Sequence, residues 1–372
     1  MAKNTNGSHL VDISSNTQVI KLYNKKGRIM RVLCLVFSII FLLTGVVSLV
    51  LYHYLGIRNY DSSDIHNDDS KLQAEIDSNN SDKKVLFKNS ELLQNSKVLN
   101  IMLFGEDNKQ GNEHGRTDTM IMLSIDNVHK KLKLTSFQRD TYVYIPGYGY
   151  NKINASYTYG GAVLSIQTIE ANFGIRIDRY AIVDFDSFID IIDTLGGVEM
   201  EVTDDEIEYI NYQMYKNDQS NGERHTIKDK AGLVKLTGQE ALWYARNRGL
   251  TKGEDGNEIG LNGDDWDRTS RQRKLLTKMV TDMKGSDLSE IISIVNKVGP
   301  KITTNLKRDE IMGLVSNALT YVNYETVQNY VPKQGLWYYN NDTDVGSVIA
   351  ITDMEAQRVA LAEFVYEDLV KN

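Results

Sequence analysis

Two aspartates sit close together in this chain, each at the end of an apolar run. Asp107 follows the run over residues 98–104, and Asp118 precedes the run over residues 120–125. Paired carboxylates of this kind suit a hard divalent cation, which takes oxygen ligands. Arg116, beside them, suits a phosphate. The alternative is a solvated acidic loop between two core strands, and this stretch alone favours it. The rest of the chain adds more of the same chemistry. Arg139, Arg246, Arg248, Arg268, Arg271 and Arg273 stand out in a chain that elsewhere uses lysine freely. Guanidinium groups grip phosphate oxygens in pairs and stay charged when desolvated. Several arginines with two metal-capable carboxylates form a kit for a pyrophosphate held with magnesium. Against this, any one of these arginines can simply pair with Asp264, Asp265, Asp267 or a surface glutamate.

The elements that must position these groups are legible in outline. The runs over 98–104 and 120–125 have strand length and composition, and pairing them puts both aspartates at one end of a sheet. Residues 131–137 alternate Leu132 and Leu134 with Lys131 and Lys133, as a hairpin partner for the second strand. That strand ends at Arg139 and Asp140. An aromatic, glycine-rich loop over 145–161 leads to a helix over 162–172, closed by Gly174. Residues 179–185 read as a strand, 185–195 as a helix ended by Gly196-Gly197, and 198–202 as another strand. Residues 204–230 are polar and give no clear element. Thr237 and Glu240 form a capping box for a helix that leads to Arg246 and Arg248. A glycine-rich acidic insertion fills 249–263. After it an amphipathic helix carries Arg268 and Gln272 on one face with Arg271 adjacent. A second capping box, Thr352 to Glu355, opens a terminal helix. Alternating strands and helices point to an α/β fold, with a mixed central sheet flanked by helices.

The chain has 372 residues and a net charge of −8, with a sequence pI near 5.4. An acidic chain is a poor non-specific ligand for nucleic acid, so no nucleic-acid partner is expected. One cysteine, Cys34, leaves no disulfide framework and no cysteine-based zinc site. The histidines lack metalloprotease spacing, and neither a phosphate-binding P-loop nor a nucleophile elbow is present. Residues 32–51 are nearly continuous apolar sequence, long enough to cross about 30 Å of hydrocarbon. Lysines and arginines crowd the N-terminal side and aspartates the other, so residues 1–31 are expected as a cytoplasmic tail. Residues 52–96 then read as an extracellular spacer, and 97–372 as the folded domain.

Taken in order, these motifs resemble the LytR-CpsA-Psr family. They are Leu-Phe-Gly-Glu-Asp107, Gly-Arg116-Thr-Asp118-Thr, Ser-Phe-Gln-Arg139-Asp140-Thr and Asn-Lys152-Ile-Asn154-Ala. Then follow Asp184-Phe, Leu195-Gly-Gly-Val, Tyr244-Ala-Arg246-Asn-Arg248 and Asp265-Trp-Asp-Arg268-Thr-Ser-Arg271-Gln272. The likeness is dense from Lys97 to about Met283 and looser beyond. It implies a transferase of Gram-positive cell walls. Such an enzyme moves a glycopolymer (teichoic acid, capsule or another wall polysaccharide) from a polyprenyl pyrophosphate to a muramic acid hydroxyl of peptidoglycan. A side pyrophosphatase activity goes with that chemistry. Carried over by motif position, Asp107 and Asp118 would hold Mg²⁺ or Mn²⁺. Arg116, Arg139, Asp140, Lys152, Arg246, Arg248, Arg268, Arg271 and Gln272 would bind the pyrophosphate. Asp118, Arg139, Asp265 and Arg268 would carry the chemistry, with Asp265 as base or as a prop for an arginine. The resemblance also implies a polyprenyl tunnel between sheet and helices. Gln138 stands where the family usually has proline, and Glu106 where a smaller residue is common. Two other classes fit the anchor: a membrane-bound transcription attenuator, and a glycopolymer-binding adaptor that needs the arginines but not the paired aspartates.

Overall fold

Strand β1, Val98–Asp107, is the axis of the molecule. Its alternate side chains serve two cores, as the period-two geometry of a strand requires. Met102 and Phe104 enter one core together with Met120 and Met122 of β2, Arg116–Asp126. Ile101 and Leu103 enter the other, with Leu123 and Ile125. The computed structural model describes residues 60–63, 65–66, 92–107, 115–249, 251–252, 258–259 and 263–368.

In chain order the remaining elements are β3 Lys131–Phe137, β4 Tyr142–Ile145, β5 Gly149–Lys152, α1 Ala155–Phe173, β6 Arg179–Asp184 and α2 Phe185–Thr194. Next come β7 Val198–Val202, α3 Asp204–Lys216, β8 Gly232–Leu236, α4 Gly238–Arg246, β9 Thr251–Lys252, β10 Glu258–Ile259 and α5 Asp265–Asp282. The chain closes with α6 Leu288–Val298, β11 Thr303–Thr304, α7 Arg308–Ser316, α8 Ala318–Tyr321, β12 Glu325–Val331, β13 Trp337–Asn340, β14 Val348–Ile351 and α9 Met354–Tyr366. The central sheet has six strands in the order β11-β6-β1-β2-β3-β12. It is mixed: β1–β2 and β2–β3 are antiparallel, β1–β6 and β3–β12 parallel. Helices α1 and α9 cover one face through Ile166, Ile169, Phe173, Leu361 and Val365. On the other face, Val280 of α5 and Leu314 of α7 pack against β1–β3. Each such buried aliphatic side chain stabilises by about 1.5–3 kcal/mol.

Several expectations need correction. The strand over 198–202 exists, but it pairs with β8 in a separate two-stranded unit rather than in the central sheet. Its inward residues Val198, Met200 and Val202 form a second core with α3, α4 and α5. The polar stretch after 204 is helical because Thr203 and Glu206 form a capping box, and Ile207, Ile210 and Met214 then face that core. Helix α1 begins at Ala155, ahead of the expected 162. It includes a break at Gly160 and Gly161, where Gly161 adopts a φ of 61°. The terminal helix is capped one residue later than expected: the Asp353 carboxylate accepts from the Ala356 N–H, while the Thr352 N–H donates to the Leu336 carbonyl.

The expected tail and membrane span, 1–31 and 32–51, lie outside the described residues. Among the described residues no helix is long and apolar enough to cross a membrane. Parts of 52–96 belong to the folded unit. The Asp61 N–H donates to the Thr304 carbonyl at the sheet edge, and Ile65 and Leu92 are buried. These are among the few apolar groups in a polar stretch, and burying them against the sheet edge and α1 is how they leave water.

Candidate active site

The β1–β2 ladder is irregular at the end that carries the two aspartates. Gly105 faces Thr119 and Glu106 faces Thr117, so Asp118 is the extra residue of a bulge. A bulge leaves one residue unpaired and re-aims its side chain. Thr117 pins this one: its hydroxyl oxygen lies 3.0 Å from the Gly105 carbonyl and 2.9 Å from that of Thr119. A Cβ on Gly105 would stand 2.9 Å from the Thr119 Cβ, so the close approach needs glycine. The Asp118 carbonyl, freed from the ladder, accepts from Arg268 Nη2 at 2.9 Å.

Three elements converge on Asp118. Arg139, just past β3, donates Nη1 to Asp118 Oδ1 at 2.9 Å. Arg268, one turn into α5, donates Nη1 to Asp118 Oδ2 at 3.1 Å and Nη2 to Asp265 at 3.0 Å. Arg139 Nε lies 3.3 Å from both Asp265 Oδ1 and Asp140 Oδ2, and Lys152 Nζ pairs with Asp140 Oδ1 at 2.8 Å. Arg139, Lys152 and Arg268 therefore face Asp118, Asp140 and Asp265 in a network that balances its own charge. Burial pushes Asp118 up, but Arg268 and Arg139 outweigh it and hold its carboxyl below the usual range. Asp265 goes the other way: burial dominates its arginine partners and raises it, making it a stronger base than an ordinary carboxylate. Burial also lowers Arg268.

Beside this network lies a cavity of about 510 Å³, lined by Asp118, Phe185, Trp243, Arg246, Arg248, Arg268 and Gln272 among others. Arg246 sits at the end of α4, which starts at the expected Thr237–Glu240 capping box. Its guanidinium lies over the Phe185 ring at 4.4 Å and the Trp243 ring at 5.2 Å. Stacking holds its plane and leaves its edge donors for a ligand. Among the described residues that line it, three arginines against one carboxylate leave an excess of two positive charges. A wider cleft of about 840 Å³ beside α3 lacks that bias, because Asp204, Glu208 and Asp229 there offset Arg224 and Lys228.

The structure thus gathers Asp118, Arg139, Asp140, Lys152, Asp265 and Arg268, and sets Arg246, Arg248 and Gln272 around the adjoining cavity. Arg271 does not join them. It is buried, with Nε on Glu206 Oε1 at 2.7 Å and Nη1 on the Asn247 carbonyl at 3.0 Å, tethering α5 to α3 and to the turn after α4. Arg273 similarly ties α5 to β3 through Ser136 Oγ at 2.7 Å. Arg116 is exposed, opposite Asp107 across the ladder. Asp107 Oδ1 is buried with no hydrogen-bond partner among the described residues. An orphaned carboxylate oxygen two pairs beyond the Asp118 bulge fits a divalent cation, and each Asp118 oxygen keeps lone-pair capacity beyond its arginine. The insertion over 249–263 lies mostly outside the described residues. Sequence reasoning missed Glu206, which lies in the stretch read as uncertain, and the stacking pair Phe185 and Trp243. Trp243 sits three residues before Arg246, a helical neighbour spacing that carried the signal.

Residues 60–357 match the LytR_cpsA_psr family. The chain belongs to the LytR-CpsA-Psr family. Among its relatives, the polyisoprenyl-teichoic acid–peptidoglycan teichoic acid transferase TagV of Bacillus subtilis is 33% identical over 223 residues, 59% of this chain and 52% of the relative. The chain thus spans about half of that relative's length. TagU of Bacillus cereus, named for the same transfer, is 30% identical over 256 residues, 66% of this chain and 75% of the relative. A solved structure of the family protein YwtF (TagT) with bound octaprenyl pyrophosphate lipid shares the fold. Its TM-score is 0.53 at 20% identity, covering 76% of this chain and 98% of that one.

Proposed function

We propose that the chain is a membrane-anchored phosphotransferase that moves a glycopolymer from a polyprenyl pyrophosphate carrier to a muramic acid hydroxyl of peptidoglycan, on the outer face of the cell. The observation that carries this reading is the cavity with two excess positive charges beside a charge-balanced network. A pyrophosphate diester carries two negative charges, so it would neutralise the lining. The names of the TagV and TagU relatives, and the lipid held by the structural relative, support the same donor and acceptor.

In this reading Arg246, Arg248 and Arg268 grip the non-bridging oxygens, and Arg139 lies behind Asp118 where charge builds up in the transition state. The acceptor hydroxyl attacks the phosphorus nearest the sugar. A new P–O bond forms, the bond to the bridging oxygen breaks, and polyprenyl phosphate leaves with the electron pair. Asp265, raised by burial, takes the hydroxyl proton and passes it to water. Asp118 orients the two arginines. Asp107, with Asp118, would hold Mg²⁺ or Mn²⁺, which when bound supplies further neutralisation of phosphate charge. The same site with water as acceptor gives a side pyrophosphatase activity.

The test is turnover of a short-chain polyprenyl-pyrophosphate sugar by the full chain in detergent, with peptidoglycan as acceptor. The expected products are polyprenyl monophosphate and a phosphodiester-linked sugar on the wall. Release of the sugar without its phosphate, or no turnover with either divalent ion, would overturn the reading.

A further inference from the structure

An aromatic surface adjoins the arginine–carboxylate network, and the proposed chemistry makes no use of it. Trp266 follows Asp265 in the first turn of α5. Its ring stacks on Trp337 of β13, with centroids 4.8 Å apart and planes 26° apart. Tyr330 at the end of β12 meets the Trp266 ring edge-on at 5.3 Å, and Tyr339 meets Trp337 edge-on at 5.0 Å. The Trp266 indole N–H donates to the Tyr339 hydroxyl at 3.2 Å. The β13–β14 hairpin that carries two of these rings is strapped to the site: the Ile349 N–H donates to the Asp140 carbonyl at 2.9 Å. Tyr339 remains about half exposed, at 52%. A patch of large aromatic groups held open beside a reactive centre marks a binding surface.

Two features of the surface select its ligand. Ring faces are negative and attract the polarised C–H face of a pyranose, while the rim offers the Tyr339 hydroxyl and the Asn340 and Asn341 amides to sugar hydroxyls and acetamides. Asp342 and Asp344 follow on the same hairpin and Asp264 and Asp267 flank Trp266, so four acidic groups outnumber Lys333 and Arg273, the latter lying over the Tyr330 ring at 5.9 Å. That acidic excess repels an anionic glycopolymer donor and an anionic lipid surface, both of which call for basic residues. It leaves a neutral amide-bearing sugar, reached from the side where Asp265 stands. Resting on the transfer reading above, we propose that the Trp266–Trp337–Tyr339 surface binds the acceptor glycan strand, stacking an N-acetylhexosamine beside the muramic acid hydroxyl presented to Asp265.

The test uses the full chain in detergent and the linear tetrasaccharide of N-acetylglucosamine, which carries the acetamides and no charge. Trp266 and Trp337 are two of the chain's three tryptophans, so binding should change tryptophan emission to saturation. Trp337→Ala should weaken that binding about tenfold, the scale of one aromatic contact. In the transfer assay it should raise the acceptor KM alike and leave the donor KM unchanged. Should Trp337→Ala fail to fold, the half-exposed Tyr339→Ala carries the same expectation. The binding arm contains no donor, so it stands or falls apart from phosphoryl transfer. Wild-type tetrasaccharide affinity in both variants overturns the proposal. So does a rise in donor KM alone, which would put the donor glycan here, or loss of binding to phosphatidylglycerol vesicles, which would make it a membrane contact.

Discussion

Replacing Arg268 with lysine separates its two jobs. The fork donates to Asp118 Oδ2 at 3.1 Å, to the Asp118 carbonyl at 2.9 Å and to Asp265 at 3.0 Å. A lysine ammonium, compact and unforked, can reach one of the three. Two charge-assisted bonds are lost, each worth about 1.5–3 kcal/mol in a buried setting. The Asp118 side chain is 36% exposed, so water returns part of that. The net destabilisation is then roughly 2–4 kcal/mol. At about 2–4 °C per kcal/mol for a domain of this size, the melting temperature should fall by about 5–15 °C. Transfer should fall further, by about 10²–10³, because a planar donor aimed at phosphate charge is gone. Thermal melts run beside turnover at a temperature where both proteins are folded give the two numbers. A lowered melt with near-normal turnover would reduce Arg268 to a structural tie. A melt within about 2 °C of wild type would refute the bond count itself.

Arg246→Ala removes a stacked cation that lines the cavity and makes no ion pair among the described residues. Its donor KM should rise about tenfold or more with the melting temperature nearly unchanged; a large thermal shift would show a structural role instead. Asp107→Asn should raise the Mg²⁺ concentration for half-maximal transfer while leaving the fold intact, and an unchanged metal requirement would remove Asp107 as a ligand. Asp265 is raised above its ordinary value of 3.8, so transfer should fall as pH drops through that raised value. Asp265→Asn should be slow and lack this acid limb. His129 is raised above 6.5, chiefly by its hydrogen bond to Asp126, at 2.7 Å, with Asp368 and Glu367 on its other side. A group raised on folding stabilises fully below its unfolded value, so stability should decline as pH rises from about 6.5 through the higher folded value. His129→Gln should flatten that decline in pH-dependent melts.

The residues that make this site were visible in the sequence because their chemistry is local. Apolar runs of strand length marked β1 and β2, alternation marked β3, and the Thr237–Glu240 box marked α4, since all three signals arise from neighbours along the chain. The arginines stood out by type. Their allocation was not legible, because it depends on which elements meet. Arg268 and Arg271 are three residues apart on one helix, yet one faces Asp118 in the bulge and the other is drawn to Glu206 on α3. Strand β7 has the pattern of a sheet strand, but only packing decides that it pairs with β8 and builds a second core. The bulge at Asp118 is likewise a matter of register between two strands. A single chain's periodicity carries no information about that offset, because the extra residue is defined only against its partner. The sequence by itself therefore determined which groups exist and roughly which elements carry them. Tertiary structure decided which arginines meet a ligand, because Arg246, Arg248 and Arg268 line the cavity while Arg271 is turned to Glu206 and the Asn247 carbonyl.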